Sequence, residues 1–195
     1  MQAAMKGTWI LVLALSVGPL AVGCKGGDPL SGGISPAVAS FDAEDPPAGV
    51  TEEFVSLKTN FIDGGRIVLD IVVTEVQEPV FGIAMKLGYP SGFAKFTECT
   101  DGDLFPPDVC LSSELEDGVV LISRNGSAGQ ATAVSGEQVI ARLEFLVFGE
   151  GAGAITIEGQ NLGGGETSAL LDNNLDPIFV QWFSGLLEGE SVVGN

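Results

Sequence analysis

The 195-residue chain contains no histidine. That absence removes the Ser-His-Asp and Cys-His arrangements of nucleophilic catalysis, and with them the commonest transition-metal ligand. Bases are scarce too: 8 Lys and Arg stand against 26 Asp and Glu, a formal net charge of −18. Such a chain lacks the clustered cations that neutralise nucleic acid phosphates, and anionic lipid headgroups repel it. The plain role of so many acids is to keep a glycine-rich exported domain soluble. Tyrosine occurs once and tryptophan twice, which leaves little for a strip of rings on which sugars stack. Cysteine occurs three times, an odd number that needs a reason in an exported protein.

The first cysteine stands where an apolar segment stops. MQAAMKGTWILVLALSVGPLAVG carries one lysine, Lys6, no acid, an apolar run from Trp9 to Leu15 and small residues at its end. This is the layout of a secretory signal, and 1–23 are assigned to it. Gly18 and Pro19 break the run before it reaches the ~20 apolar residues of a bilayer-spanning helix. Ala21, Val22 and Gly23 would suit an ordinary signal peptidase. LAVGC also resembles the lipobox of bacterial lipoproteins, in which the cysteine takes a diacylglycerol and becomes the first residue. It departs in having Ala21 where leucine is usual, with the leucine at Leu20. Lipidating Cys24 would leave Cys99 and Cys110 as a pair and explain the odd thiol. The expected location is the cell surface or outer membrane as a lipoprotein, otherwise the secreted fraction.

Residues 24–49, rich in Gly, Pro, Ser and Ala and without periodicity, read as a flexible linker. Residues 50–195 are the size of one domain. Within it RIVLDIVVT places Ile67, Leu69, Ile71 and Val73 on one face and Val68, Asp70, Val72 and Thr74 on the other, a period of two with β-branched residues that specifies a strand. VFGIAMKLGY, FAKFTE, GVVLIS, VIARLEFLVF, AITIEG and IFVQWF continue the series, separated by turns such as Asp63-Gly64-Gly65, Asp101-Gly102 and Asn125-Gly126. SAGQATAVSGEQ is a loop or one short helical turn. The pattern predicts an all-β sandwich or barrel.

The remaining motifs carry no chemistry of their own. Cys99 and Cys110 lack the CxxC spacing of a zinc ribbon or thioredoxin-type site. A disulfide closing the DGDLFPPDV loop is expected in an oxidising compartment, with two buried thiols as the alternative. GEGAGA and GGGE lack the phosphate-loop ending and read as hairpin loops. Asp172, Asn174 and Asp176 imitate the start of a calcium loop, but Pro177 replaces its glycine and Phe183 stands where the twelfth-position glutamate belongs. An Asx-rich turn is the ordinary reading. No metal or cofactor is expected, and no enzyme activity. Trp182 falls on the Ile178 and Val180 face of IFVQWF and is assigned to the core.

Three segments in order resemble bacterial cohesin domains. VFGIAMKLGYPSGFAKFTECTDGDLF is similar to the part where a strand ending in a tyrosine-containing turn leads to another strand and a Gly-Asp segment. GEQVIARLEFLVFGEGAGAITIEG resembles their later hairpin, and LLDNNLDPIFVQWFSGLL their closing segment. The resemblance runs over roughly residues 52 to 187. It implies a nine-stranded jelly-roll β-sandwich, a fold shared with several carbohydrate-binding modules. It also implies noncovalent binding of a dockerin-like protein on one sheet face, as in polysaccharide-degrading assemblies, though it identifies no binding residues. Polysaccharide binding is the alternative, and a structural envelope lipoprotein stands behind that. Exposed paired aromatics on one sheet would favour the sugar; a broad face with a mixed polar and apolar centre would favour a protein.

Overall fold

A computed structural model describes residues 37–105, 109–126, 130–158 and 168–192. The expected signal 1–23, Cys24, the first part of the linker and the GGGE run lie outside the described residues.

The described chain contains strands and no helix. One sheet is built from β2 (Phe54–Asp63), β3 (Arg66–Thr74), β5 (Ala94–Asp101), β8 (Glu137–Val147) and β12 (Gln181–Trp182), in the order β12-β2-β3-β8-β5. The other contains β1 (Ala37–Ala43), β4 (Gly82–Gly88), β6 (Leu111–Glu116), β7 (Val119–Asn125), β9 (Gly151–Ile157), β10 (Ala169–Leu171), β11 (Pro177–Ile178) and β13 (Gly185–Ser191). In this larger sheet β1-β13-β9-β4 run side by side, β10 and β11 share one flank of β4, and β7 followed by β6 lies on the other. Every ladder is antiparallel except β12 on β2.

The alternation read from the sequence sets the core. Ile67, Leu69, Ile71 and Val73 of β3 are all fully buried, as are Leu143 and Phe145 of β8 and, from the facing sheet, Ile83 and Leu87. Apolar side chains at every second position give each sheet one dry face, and the two dry faces stack into a sandwich. Phe145 sits centrally, 5.6 Å from the Tyr89 ring and 5.7 Å from Phe96. Arg124, which shares the inward side of β7 with Val120 and Ile122, is also fully buried, and its guanidinium lies 3.4 Å from Asp101 and 5.8 Å from the Phe105 ring centre.

Several boundaries differ from the sequence reading. The stretch assigned to a flexible linker, 24–49, contains β1, paired with β13 along its whole length from Ala37↔Ser191 to Ala43↔Gly185. Ala37 and Ala39 point inward and are buried, while Val38, Ser40 and Asp42 point out. Alanine carries little strand propensity, so the period of two was hidden in small residues. IFVQWF is not one strand: β11 joins the larger sheet and β12 the smaller, with Phe179 and Val180 between them. Ile178 and Phe183 are buried and Trp182 is half-buried against the core, a distribution that one continuously alternating strand would not give. Among the described residues thirteen short strands stand where nine were expected, within the same sandwich.

GEGAGA is largely strand rather than hairpin loop, because β9 begins at Gly151. A Cβ on Gly151 would lie 2.6 Å from the Phe93 ring, and one on Gly153 2.6 Å from Pro90. These glycines let the Pro90 to Phe93 turn pack directly against the backbone.

Candidate functional site

The two sheets turn chemically different faces to solvent. On the smaller sheet Lys58, Arg66, Lys95 and Arg142 stand among carboxylates. Arg142 bridges Asp70 at 3.3 Å and Asp103 at 2.8 Å, Lys58 meets Glu137 at 2.6 Å, and Arg66 binds Glu144. Asn60 adds two hydrogen bonds to Asp70, each 3.0 Å. The Arg66 hydrogen bond holds the Glu144 carboxyl below its usual range. Charges already paired across neighbouring strands satisfy one another in water, and that face offers a partner little to complete.

The larger sheet is different over β6, β7 and β4. Cross-strand partners place Leu111, Ser123 and Ala84 in one outward row and Ser113, Leu121 and Lys86 in the next. These six residues line a shallow, mostly apolar groove of about 250 Å³. Leu111 is 61% exposed. Lys86 extends from the groove to Glu158, 3.3 Å away, so its charged end is held at the rim while its stem lines the wall. On β6 the Glu116 carboxylate follows on the outward side, opposite Val119, whereas Glu114, opposite inward Val120, turns to the other face and meets Tyr89. The surface is thus small, apolar and hydroxyl-bearing at the centre and acidic at its border.

β6 forms one wall of the groove and is the most exposed strand, with all six residues open to solvent. It pairs with β7 and with no other described strand. A bulge between Glu114 and Glu116, together with those charges, blunts its free edge against unwanted strand addition. Two attachments fix it. At one end Cys110, which precedes Leu111, is disulfide-bonded to Cys99 of β5, with a Cα separation of 5.6 Å. Further along, the Tyr89 hydroxyl donates to Glu114 Oε1 at 2.5 Å, and the Tyr89 backbone N–H donates to Gly118 O in the β6–β7 turn. Burial, reinforced by the hydrogen bond to Glu114, pushes the Tyr89 phenol up to about 12.

The other residues singled out in the sequence lie apart from this groove. Asp172 accepts hydrogen bonds at 2.8 Å from the backbone N–H groups of Asn174 and Asp176, which hold its carboxyl below the usual value. That is an Asx-type turn closing on itself. Among the described residues no cluster of three metal-ligating side chains occurs. The rings Phe54 and Phe183 pair at 5.6 Å but are buried, and Tyr89 is buried as well. Phe61 and Phe179 are exposed, one on β2 and the other between β11 and β12. The groove residues Leu111, Ser113 and Leu121 went unrecognised in the sequence. LSSELE has too few apolar residues to register as a strand, and only its pairing with β7 shows which face it completes.

No protein-family model matches the chain, and no curated protein matches it. Solved structures do. The sixth cohesin of scaffoldin B from Acetivibrio cellulolyticus, determined in complex with a Cel5 dockerin mutant, superposes with a TM-score of 0.56 at 15% identity, covering 70% of this chain and 97% of that one. The second type II cohesin module of the adaptor ScaA scaffoldin, from the same organism, gives 0.55 at 12% identity, covering 68% and 86%. A cohesin from Clostridium acetobutylicum gives 0.52 at 17% identity, covering 73% and 93%. The fold is cohesin-like.

Proposed function

We propose that this domain is a noncovalent protein-binding module that holds a dockerin-like partner on the β6-β7-β4 face, outside the cytoplasm. The observation that carries the reading is the contrast between the two outer faces: the smaller sheet presents paired charges, the larger an apolar and hydroxyl-lined groove with an acidic border. A desolvated apolar centre inside a polar rim is the anatomy of a protein-binding patch. It asks for a partner with an apolar centre of its own and cations around it. The cohesin-like fold supports the same reading, since similar domains were solved in complex with dockerins. Placement of the domain rests on the signal-like 1–23 and on Cys24 as the lipid attachment point, with the residues up to β1 as tether. The role is one of binding, without catalysis.

The test is a pull-down with calcium present. The chain carrying Cys24→Ser is immobilised and exposed to the secreted proteins of its host, alongside the same chain with Leu121→Arg. Retention of a protein with paired calcium-loop repeats by the first and its loss with the second is the expected result. The reading fails if the two chains retain the same proteins, or if only insoluble polysaccharide is bound.

A further inference from the structure

The Cys99–Cys110 disulfide does more than close a loop, because of where its ends are anchored. Cys99 lies within β5, which pairs with β8, and its partner in register is buried Leu143. Cys110 leads directly into the most exposed of the described strands, whose first three residues, Leu111 to Ser113, line the groove. From Glu114 onward the same strand has a second attachment through Tyr89 and the tight turn to β7. The bond therefore ties the groove's outer wall to the opposite sheet at the end where Leu111 to Ser113 rest on the ladder to β7. Both sulfur-bearing residues are half-buried rather than sealed in the core, with exposed Glu98, Thr100 and Val109 beside them.

We propose that this disulfide is a reducible lock on the binding groove: bonded, it holds Leu111 to Ser113 in place; reduced, it lets that half of β6 detach while the sandwich stays folded. The reductant is a dithiol. One of its thiolates attacks Sγ of Cys110 or Cys99, and the other cysteine leaves as a thiolate that takes up a proton. The second thiol of the reductant then displaces the protein sulfur from the mixed disulfide. Two electrons and two protons pass to the protein, and the reductant leaves as its own disulfide. That the groove is the partner's site rests on the reading above; the lock itself does not.

Hydrogen exchange measured by mass spectrometry tests it without any partner. The full chain carrying Cys24→Ser is compared oxidised, reduced with dithiothreitol, and with Cys99→Ser and Cys110→Ser added. Faster exchange on the order of tenfold or more is expected for peptides covering 111–113 in the second and third samples, with β3 and β8 unchanged. Adding Tyr89→Phe to the reduced chain is expected to extend the release to 114–116. Unchanged exchange in β6 overturns the proposal. So does acceleration throughout β3 and β8, which would make the bond a requirement of the whole fold. A chain that shows the selective release yet retains no protein refutes the proposed function and leaves the lock standing.

Discussion

Tyr89 offers an unusually clean experiment because it is the only tyrosine in the chain. Its ring packs on Phe145 in the core while its hydroxyl reaches out to Glu114 on the groove wall. Tyr89→Phe keeps the ring and removes the hydrogen bond. A bond to a charged acceptor contributes about 1.5–3 kcal/mol, and the exposure of Glu114 places this one toward the lower end, about 1–2 kcal/mol. For a domain of this size that is a fall in Tm of roughly 3–6 °C. The pH dependence follows from the phenol being raised to about 12 in the folded chain, against 10.0 ordinarily. Below pH 10 the protonated phenol contributes in full. Above it the unfolded chain loses its proton first, so stability falls as pH rises toward 12, and levels off once both states are ionised. Phenolate absorbance should titrate with a single midpoint near 12 in the native protein, and Glu114→Gln should lower that midpoint. A native midpoint near 10, with Tyr89→Phe within about 0.5 kcal/mol of the parent, would refute both the hydrogen bond and the anchoring of β6 that depends on it.

Phe145→Ala removes a fully buried ring that touches Tyr89 and Phe96, and chemical denaturation should show a loss of about 3–5 kcal/mol. The Asp172 carboxyl, held low by N–H donors within its turn, should titrate by NMR below the ordinary 3.8. Because its folded value is depressed, the stabilisation is present above the unfolded value and is lost as pH falls through the folded one. A difference between parent and Asp172→Ala that grows in acid would contradict this. A chain begun at residue 48 lacks β1 and uncovers the β13 edge. Gel filtration should show it aggregating where the longer chain runs as one species, and an unchanged profile would show β1 to be dispensable.

What the sequence disclosed followed from how strongly each segment was patterned. β3 and β8 announce themselves because Ile, Leu, Val and Phe recur at every second residue, and burying that stripe admits one orientation. β1, β6 and β13 did not. AVASFDA alternates in alanine, LSSELE is exposed throughout, and GLLEGES is interrupted by glycines. Gly185 and Gly189 in β13 are there because Phe41 and Val147 occupy the space where their side chains would project. Such strands are specified by their neighbours more than by themselves, and neighbour relations across many residues are not written in local period. The candidate site was hidden for the same reason: Ala84, Leu111 and Leu121 come from three segments and become one surface only through the β4-β7-β6 register.

That dependence also explains how a domain so acidic can present a groove of limited charge. The few cations are not spread evenly: Lys58, Arg66 and Arg142 are held in ion pairs on the smaller sheet, and Arg124 is inside. Concentrating them there neutralises carboxylates on one face and leaves Lys86, among the described residues, as the cation on the groove side, itself paired with Glu158. Glu116, outward on β6 beside the groove, then goes uncompensated by any described salt bridge. A cationic partner would be drawn by that border, and the affinity would weaken with salt, while the contact once formed would rest on Leu111 and Leu121, whose burial is insensitive to it. On the proposed function, charge would select which side of the sandwich is approached, and the small apolar centre would decide what stays.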